Sequence, residues 1–300
     1  MLPLGCAHRR ERWALSGKVT DPTFCVRVVI VSVSGLTGRQ VNAEDGVPVV
    51  ILCGGKGTRM GELTLPKPLV EIGDRPVLWH VMKIYAAQGF RDFVLALGYG
   101  GDAIKRYFLE YDWRSRDFVL ELGNGGMKFL MPNDIEGWRV TFVETGLETM
   151  TGARVRKAAE HVTGERFFVT YADGVADIDL HALMAYHRRQ GVLATVTGVK
   201  AFSRYGLMET DHRGRVTGFQ EKPLVDEMIN GGFMVFERGV LPYLAGDDDL
   251  VLEQEPLREL AHAEQLSVYH HRGFWRAMDT FKEAQELNAL WEQEAPWRIW

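Results

Sequence analysis

A glycine-rich segment that carries two cationic side chains is the first feature able to do chemistry. It covers residues 52–59 and includes Lys56 and Arg59. Glycines let backbone N–H groups approach phosphate oxygens, and cations neutralise the phosphate charge. No Gly-Lys-Ser/Thr follows, as a P-loop requires, and the glycine spacing does not fit the dinucleotide-binding fingerprint. The segment predicts a phosphate-binding loop of another class, and a tight turn with two solvated cations is the alternative.

A second lysine, Lys67, lies between two prolines in Pro66-Lys67-Pro68. A proline restricts its own backbone and that of the residue before it, so the chain around Lys67 has few conformations. A lysine on an ordinary surface needs no such restriction. The tripeptide therefore predicts that the Lys67 ammonium is held in a defined place, and an extended surface connection is the alternative.

Two aspartates occupy positions suited to binding a metal ion. Asp173 closely follows the apolar run 167–171, and Asp279 precedes the last predicted helix. Mg²⁺ prefers one or two carboxylates together with phosphate oxygens, so Asp173 is a candidate ligand. From the residues alone, Asp173 also fits a turn, and Asp279 fits the N-cap of the helix that follows.

The composition of the chain excludes several other classes of protein. The 300 residues carry a formal net charge of -5, which argues against a nucleic-acid-binding protein. No apolar run approaches the length of a membrane span, so no membrane partner is predicted. The cysteines Cys6, Cys25 and Cys53 fit neither a zinc site nor a disulfide framework, and this pattern predicts a reducing, cytoplasmic compartment.

Alternating strands and helices must position these residues. The strands predicted from apolar runs are 49–52, 93–97, 140–143, 167–171, 194–199, 207–210, 215–220 and 233–236. One predicted helix begins at Pro76, and the next is capped by Asp102. Three further helices are predicted to cover 155–162, 180–187 and 256–264, and the last to start near Thr280. This order predicts an α/β fold: a Rossmann-like, mostly parallel sheet with helices on both faces and a C-terminal mixed β/helical elaboration.

The domain organisation predicted from these patterns is simple. Residues 1–46 show no sustained period and are predicted to be a loosely ordered N-terminal extension. Residues 47–300 are predicted to form one catalytic domain, because neither a repeat nor a low-complexity linker interrupts them. The segment 112–138 has no clear pattern, so no element is assigned to it.

Several motifs together resemble the sugar-1-phosphate nucleotidylyltransferase family. Gly54-Gly55-x-Gly57-Thr58-Arg59, followed by Pro66-Lys67-Pro68, is similar to the signature of that family. The other blocks that resemble it are Glu71-Ile72-Gly73, Pro76-Val77-Leu78-Trp79-His80, Glu221-Lys222-Pro223 and Asn230-Gly231-Gly232-Phe233. The resemblance extends over about residues 47 to 300.

Narrower motifs resemble the family members that use CTP and glucose 1-phosphate. They cover residues 150–154, 171–177, 274–280 and 295–297. The implied reaction transfers a cytidylyl group from CTP to α-D-glucose 1-phosphate, giving CDP-glucose and pyrophosphate. The attacking phosphate oxygen is already anionic at neutral pH, so no general base is needed. Cations must instead position two polyanions and stabilise the transition state.

The resemblance also implies roles for individual residues. The implied nucleotide-binding residues are Leu52, Cys53, Gly54, Gly55, Lys56, Gly57, Thr58, Arg59, Thr149, Arg154 and Ala172, with Thr149 and Arg154 near the cytosine. The implied sugar-phosphate-binding residues are Lys67, Glu221, Lys222 and Asn230. Arg59 and Lys67 are the implied catalytic cations, and Asp173 and Asp279 the implied Mg²⁺ ligands. The resemblance further implies a homo-oligomer, a hexamer.

The sequence departs from the family pattern at two positions, and two other functions stay open. Cys53 stands where alanine is common and is interpreted as a packing residue, while Ala153 replaces a usual glycine before Arg154. One alternative is the same reaction with dTTP or UTP. The other is a non-catalytic sugar-nucleotide-binding relative, although such a protein would be expected to have lost its charged site residues.

Overall fold

The computed structural model describes residues 46–57, 65–123, 125–135, 137–203 and 205–300. The predicted N-terminal extension, residues 1–46, lies outside these ranges apart from Gly46. Thr58 and Arg59 also lie outside the described residues. Within the described ranges, no helix combines the length and the apolar character needed to cross a bilayer.

Strands and helices alternate along the described chain. The strands are β1 (Val49–Leu52), β2 (Glu71–Ile72), β3 (Arg75–Pro76), β4 (Asp92–Leu97), β5 (Phe118–Glu121), β6 (Gly126–Phe129), β7 (Arg139–Glu144), β8 (Arg166–Tyr171), β9 (Gly174–Ala176), β10 (Ala194–Phe202), β11 (Leu207–Thr210), β12 (Val216–Gln220), β13 (Leu224–Asn230), β14 (Met234–Glu237), β15 (Leu266–His271) and β16 (Trp275–Ala277). The α-helices are α1 (Val77–Ala87), α2 (Gly101–Leu109), α3 (Tyr111–Ser115), α4 (Thr151–Ala159), α5 (Leu180–Gln190), α6 (Glu255–His262) and α7 (Phe281–Gln293). Short 3-10 helices cover Lys67–Leu69 and Arg238–Leu244.

Eight of the described strands form a central mixed sheet. Its order is β13-β10-β14-β8-β1-β4-β7, and β15 also pairs with β10. The strands β7, β4, β1 and β8 run parallel, whereas β14 lies antiparallel between β8 and β10. The strand β10 also pairs with β13 in antiparallel orientation and with β15 in parallel orientation. These strands form the C-terminal part of the sheet. The predicted α/β class, with its mixed C-terminal elaboration, is confirmed.

The strand β1 shows why a continuous apolar run marks the centre of the sheet. All four of its residues are buried. Val49 and Ile51 belong to the core that includes residues of α1, α2, α5 and α7. Val50 and Leu52 belong to the opposite core, which includes residues of α4 and α6. A strand with helices on both faces must be apolar on both, so its sequence cannot alternate.

The topology places a crevice at the carboxyl end of β1. The chain passes from β1 to β4 and β7 on one side, and then returns to β8 on the other side of β1. Leu52 and Tyr171 are partners in this parallel pair, so the loops that follow β1 and β8 leave the sheet side by side. Ligands of open α/β sheets bind at such a reversal of strand order. The glycine-rich segment and Asp173 therefore share one edge of the sheet.

The segment 112–138, to which no element could be assigned, contains most of α3 and a two-stranded hairpin. The hairpin is formed by β5 and β6, and most of its residues are exposed. Apolar periodicity marks the face of an element that packs on a core. These strands do not lie in the central sheet, so their sequence carries no such period.

The starts of two helices differ from the prediction. Asp102 lies in the first turn of α2, and the residue before that helix is Gly100, whose φ of 71° favours glycine. Pro76 precedes α1 as its N-cap residue, whereas the sequence predicted it at the first helical position. In both cases the helix is present and only its boundary moves by one or two residues.

Two strands of the central sheet were not predicted. The strand β13 contains Asp226 and Glu227 among its apolar residues, and β15 ends in His270 and His271. Neither run is continuously apolar, so the sequence gives little indication of a strand there. The predicted strand 233–236 also starts one residue late, because Phe233 has a φ of 44° before β14 begins.

A buried histidine joins α1 to the C-terminal segment. His80 donates from Nε2 to the carbonyl of Ile72 at 2.9 Å, and its Nδ1 accepts from the indole of Trp297 at 3.3 Å. The ring of Trp291 packs edge-on against His80 at 4.8 Å. Burial lowers the pKa of His80 to about 4, so the imidazole is neutral at neutral pH. The contact therefore has a structural role.

The helix α7 begins with a capping box, which yields a prediction for stability. Thr280 Oγ1 accepts from the N–H of Glu283 at 3.2 Å, and the Glu283 carboxylate accepts from the N–H of Thr280 at 2.7 Å. Thr280, and not Asp279, is thus the N-cap. We expect Thr280→Ala to lower the free energy of unfolding by about 1 kcal/mol in chemical denaturation, because it removes the capping oxygen. Thr280→Ser keeps that oxygen, and equal losses in both variants would contradict the prediction.

Candidate functional site

A cavity of about 490 Å³ opens at the carboxyl ends of β1 and β8. Its lining includes residues 52–57, Thr149, Arg154 and Ala172. These are all the predicted nucleotide-binding residues that lie within the described ranges. Lys67, Asp173 and Asp279 also line this cavity. The structure thus brings together residues that are more than 200 positions apart in the sequence.

The centre of the site is an ionic triad formed by Lys67, Asp173 and Asp279. The Lys67 ammonium donates to Asp173 Oδ2 at 2.5 Å and to Asp279 Oδ1 at 2.7 Å. The side chain of Lys67 is only 13% exposed. Burial alone would lower the pKa of Lys67, but the charges and hydrogen bonds of both aspartates outweigh burial and raise that pKa. The lysine is therefore a fixed cation at neutral pH.

The local backbone holds Lys67 in this position. Lys67 follows Pro66 and begins the short 3-10 helix Lys67–Leu69, which contains Pro68. The N–H of Val70 closes this turn by donating to the Lys67 carbonyl. Gly57 packs against the lysine so closely that a Cβ at this glycine would lie 3.0 Å from Lys67 Cβ. The φ of Gly57 is 60°, a conformation that favours glycine. The glycine-rich segment therefore packs against Lys67 as well as lining the cavity.

The donor set of the triad is compatible with a magnesium ion. Asp173 and Asp279 each place an oxygen within hydrogen-bonding distance of the same ammonium, so the two oxygens are close enough to bind one cation. No group of three or more His, Cys, Asp or Glu residues that could hold a metal occurs among the described residues. Mg²⁺ is commonly held by two carboxylates, with phosphate oxygens and water completing its coordination.

Cys53 has the environment of a packing residue. It is buried in the core, and its backbone N–H donates to the carbonyl of Ala96 at 3.0 Å. Burial raises the pKa of the Cys53 thiol, and the charge of Asp173 adds to this effect. A thiol that stays protonated is a poor nucleophile. These contacts support the interpretation of Cys53 as a structural residue.

Arg154 connects the loops that surround the nucleotide cavity. It is only 4% exposed, and its Nη1 donates to the carbonyls of Leu97 and Gly146 at 2.9 Å and to Thr145 Oγ1 at 2.5 Å. Its Nη2 donates to the carbonyl of Gly54 at 3.0 Å. The guanidinium thus ties the glycine-rich segment to the loops after β4 and β7. Its contact with the base stays a prediction.

Two glycines make room for this guanidinium. A Cβ on Gly54 would lie 2.2 Å from Arg154 Nη1, and a Cβ on Gly98 would lie 2.5 Å from the same atom. Neither approach is sterically possible, so a side chain at either position would displace Arg154. The need for glycine at position 54 therefore comes from this packing in addition to any contact with phosphate.

The wall of the cavity opposite the glycine-rich segment contains Thr149 and Glu148. Thr149 is buried, and its hydroxyl lies 2.7 Å from the carbonyl of Thr145 and 3.1 Å from Asp248 Oδ2. The carboxylate of Glu148 accepts from the Lys56 ammonium at 2.6 Å, and both side chains are largely exposed. This ion pair spans the two walls and is of the exposed kind that adds little stability.

A second cavity, of about 1770 Å³, adjoins the first. The residues shared by both linings are Gly55, Thr151, Tyr171, Asp173 and Asp279. Asn230 lines the second cavity, as expected for a residue that binds the sugar phosphate. Because the two aspartates of the ionic triad line both cavities, groups bound in the two cavities would meet at these carboxylates.

Glu221 and Lys222 occupy a different place from the other predicted sugar-phosphate residues. Both are exposed after β12, and neither belongs to the described lining of the two cavities. Lys222 has a φ of 46°, which is unusual for a residue other than glycine. Residues with such unusual backbone conformations concentrate at functional positions.

Sequence reasoning missed part of the boundary between the cavities. The Tyr171 hydroxyl donates to the carboxylate of Glu253, and the Thr151 hydroxyl donates to the other oxygen of that carboxylate at 2.7 Å. Tyr171 could have been noticed, because it precedes Asp173 at the end of β8. Glu253 gives no comparable signal, since it lies in an irregular segment before α6 and 82 positions from Tyr171.

Comparison with known proteins identifies the family. The family model described as Nucleotidyl transferase matches residues 48–280. The chain belongs to the nucleotidyl transferase family. Its fold is also that of solved structures: HddC from Yersinia pseudotuberculosis complexed with GMP-PN has a TM-score of 0.61 at 19% identity, covering 82% of this chain and 99% of that one. An apo-UDP-glucose pyrophosphorylase has a TM-score of 0.61 at 16% identity, covering 83% and 99%.

Curated relatives of this nucleotidyl transferase are more similar in sequence. The "Probable glucose-1-phosphate cytidylyltransferase" of Bacillus subtilis (strain 168) is 44% identical over 254 residues, which cover 84% of this chain and 99% of the relative. The glucose-1-phosphate cytidylyltransferase of Salmonella typhimurium is 43% identical over 256 residues, which cover 84% and 98%. The chain therefore spans nearly the full length of these relatives, and the family resemblance predicted from the motifs is confirmed.

Proposed function

We propose that this nucleotidyl transferase transfers a cytidylyl group from CTP to α-D-glucose 1-phosphate, forming CDP-glucose and pyrophosphate. The observation that carries the proposal is the meeting of two cavities at Asp173 and Asp279, which both bind the Lys67 ammonium. One cavity has the predicted nucleotide loop and the other has Asn230. The choice of CTP and glucose 1-phosphate rests on relatives that carry this activity in their names and are 43–44% identical.

The reaction needs positioning and charge neutralisation more than proton transfer. A phosphate oxygen of glucose 1-phosphate forms a bond to the α-phosphorus of CTP, and the bond from that phosphorus to the oxygen bridging to the β-phosphorus breaks. Pyrophosphate leaves with that oxygen and its electron pair. The raised pKa of Lys67 keeps its ammonium charged, so it can contact phosphate oxygens of both substrates. Arg59 has the corresponding role at the nucleotide phosphates, on the strength of the family resemblance.

The same proposal includes Mg²⁺ held by Asp173 and Asp279. When bound there, the ion supplies positive charge beside the phosphates. The two carboxylates already share one cation, the Lys67 ammonium, in this structure. On this proposal, Asp173 and Asp279 would hold the ion, and the Lys67 ammonium beside them would contact phosphate oxygens.

The remaining parts of the proposal concern the sugar, the assembly and the compartment. Asn230 and Glu221 bind sugar hydroxyls and Lys222 binds the sugar phosphate. For Glu221 and Lys222, this requires that the β11–β12 hairpin approach the second cavity. The proposed assembly is a homo-oligomer, a hexamer, and it rests on the family resemblance alone. The cysteine pattern supports a cytoplasmic location.

A comparison of nucleotides tests the proposal. Cytosine presents the N4 amine as a donor, whereas uracil and thymine present the O4 acceptor. A buried group left without its partner costs about 1–3 kcal/mol, so one or two mismatches give a preference of about 10-fold to several thousand-fold. We expect kcat/KM with glucose 1-phosphate to be higher for CTP than for UTP or dTTP by a factor in this range. Pyrophosphate release measures it for each nucleotide.

Variants sharpen the nucleotide test. Arg154→Ala should reduce the preference for CTP as well as the rate, because it removes the group that organises the cavity walls. Arg156→Ala is the matched control, since this arginine lies on the same helix but is not part of the described cavity lining. Equal kcat/KM for CTP and UTP in the unmodified protein would favour the UTP or dTTP alternative. Binding of CTP without any turnover would favour the non-catalytic relative.

A further inference from the structure

A chain of hydrogen bonds connects Asn230 to the carboxylate of Glu253. Asn230 Nδ2 donates to the Tyr171 hydroxyl at 3.3 Å, and that hydroxyl donates to Glu253 Oε1. The other oxygen, Glu253 Oε2, accepts from Thr151 Oγ1 at 2.7 Å. Thr151 Oγ1 itself accepts from the N–H of Leu252 at 2.9 Å. Each residue in this series of hydrogen bonds is therefore bonded to at least one other residue of the series.

The direction of the protons in this chain is fixed by the carboxylate. An ionised carboxylate can only accept, and a tyrosine hydroxyl has a single proton to donate. With that proton directed to Glu253, the oxygen of Tyr171 can only accept on the side of Asn230. Burial raises the pKa of Tyr171, and the charge of Glu253 raises it further, so the hydroxyl keeps its proton at neutral pH.

The fixed hydroxyl in turn selects one of the two orientations of the Asn230 amide. Only the amide nitrogen can donate to Tyr171, so Nδ2 must face the ring and Oδ1 must face the opposite way. The backbone confirms this orientation, because the N–H of Gly232 donates to Asn230 Oδ1 at 3.0 Å. Gly232 also packs on the tyrosine, since a Cβ there would lie 3.1 Å from Tyr171 Cδ2. The amide is thus held at both ends.

The orientation leaves a defined pattern of groups for a ligand. An asparagine amide has two N–H donors and two acceptor positions on oxygen. The contacts to Tyr171 and Gly232 use one of each. One donor and one acceptor of Asn230 are left for the cavity, which is the pattern that two sugar hydroxyls satisfy. If the amide turned over, the donor and the acceptor would exchange places.

We propose that Glu253, acting through the Tyr171 hydroxyl, is a positioning residue that fixes the Asn230 amide for recognition of sugar hydroxyls. The inference rests on the proposed function, in which Asn230 binds the sugar 1-phosphate. It assigns part of the sugar selectivity to two residues that need not touch the sugar themselves. Asn230 lines the second cavity and not the first, so loss of the chain should affect recognition of the sugar more than recognition of the nucleotide.

A double-variant cycle on Tyr171 and Asn230 tests this inference. Tyr171→Phe keeps the ring and removes the hydroxyl, so the amide is held at one end only, by the N–H of Gly232, and is less firmly oriented. We expect the KM for glucose 1-phosphate to rise about 10-fold, the loss of about one hydrogen bond, with the KM for CTP changed less than about 2-fold. The ratio of kcat/KM for glucose 1-phosphate to that for galactose 1-phosphate should fall. In an Asn230→Ala background, Tyr171→Phe should have no further effect on either quantity.

Further variants control for indirect effects. Glu253→Ala should reproduce the loss of sugar selectivity and add nothing to Tyr171→Phe. Tyr186→Phe is the matched control, because this tyrosine lies on α5 against Tyr269 and is not part of the described cavity linings. Thermal unfolding of each variant confirms that it is folded, and Glu253→Ala takes the place of Tyr171→Phe in the cycle if the latter does not fold.

The possible failures are distinguishable. Effects of Tyr171→Phe and Asn230→Ala that multiply in the double variant would overturn the inference while leaving the proposed function intact. An equal rise in the KM for CTP and for glucose 1-phosphate would do the same. If the unmodified protein forms no nucleotide sugar from CTP and either hexose 1-phosphate, the proposed function is overturned and the inference with it.

Discussion

Replacing Asp173 or Asp279 with asparagine should lower kcat by at least about 100-fold while leaving the protein folded. Asparagine has nearly the shape of aspartate but no charge, so each change removes one of the two carboxylates that share Lys67. It also removes one of the two carboxylates proposed to hold Mg²⁺. The measurement is pyrophosphate release as a function of Mg²⁺ concentration, with melting temperatures recorded for both variants.

The aspartate prediction has a direct control and a clear contradiction. Asp102→Asn removes a carboxylate that is 94% exposed and lies on α2, so its activity should equal that of the unmodified protein. Treatment of the unmodified protein with EDTA should abolish turnover, and added Mg²⁺ should restore it. Full activity after EDTA treatment, or in either asparagine variant at the triad, would show that these carboxylates do not hold a metal needed for the reaction.

Lys67→Ala should reduce kcat by about 100-fold or more, because removing a preorganised charge donor from a transition state typically costs this much. Lys67→Arg should restore little, since a planar guanidinium does not replace a compact ammonium held between two carboxylates. Arg59→Ala should show a loss of similar size. Lys282→Ala is the matched control, because Lys282 is exposed on α7. Unchanged kinetics in Lys67→Ala would mean that the lysine serves only to pair the aspartates.

The lysine variant also has a readout that does not depend on turnover. Without the ammonium, Asp173 and Asp279 lose the cation that lies between their two negative charges and offsets their repulsion. A ligand that binds only the native state stabilises it by mass action. Added Mg²⁺ should therefore raise the melting temperature of Lys67→Ala more than that of the unmodified protein. No difference between the two shifts would contradict the assignment of the metal to this pair.

The part of the fold that the sequence predicts correctly is the part controlled by local physics. The run of apolar residues in β1 has to be buried on both faces, and its carboxyl end has to deliver the glycine-rich segment to an edge of the sheet. The same argument for β8 places Asp173 at that edge. The shared edge of the glycine-rich segment and Asp173 therefore follows from strand direction, whereas the ion pair of Lys67 with Asp173 depends on the folded structure.

The part that could not be predicted depends on contacts between distant segments. Arg154 carries the same guanidinium whether it faces a base or the carbonyls of Leu97 and Gly54, and only the fold decides between them. The pairing of Tyr171 with Glu253 spans 82 positions and leaves no local pattern. The hairpin of β5 and β6 lacks a buried face, so its sequence shows no hydrophobic periodicity from which the strands could be predicted.

The contact between His80 and Trp297 constrains the order in which the chain can fold. It joins residues 217 positions apart, and the ring of Trp291 completes the enclosure of the histidine. During synthesis on a ribosome, α1 emerges long before these two tryptophans do. The His80 side chain then lacks these two partners for most of translation, and exposed apolar surface of this kind favours aggregation. Native packing around His80 is consequently a late event, completed only after nearly the whole chain has been released.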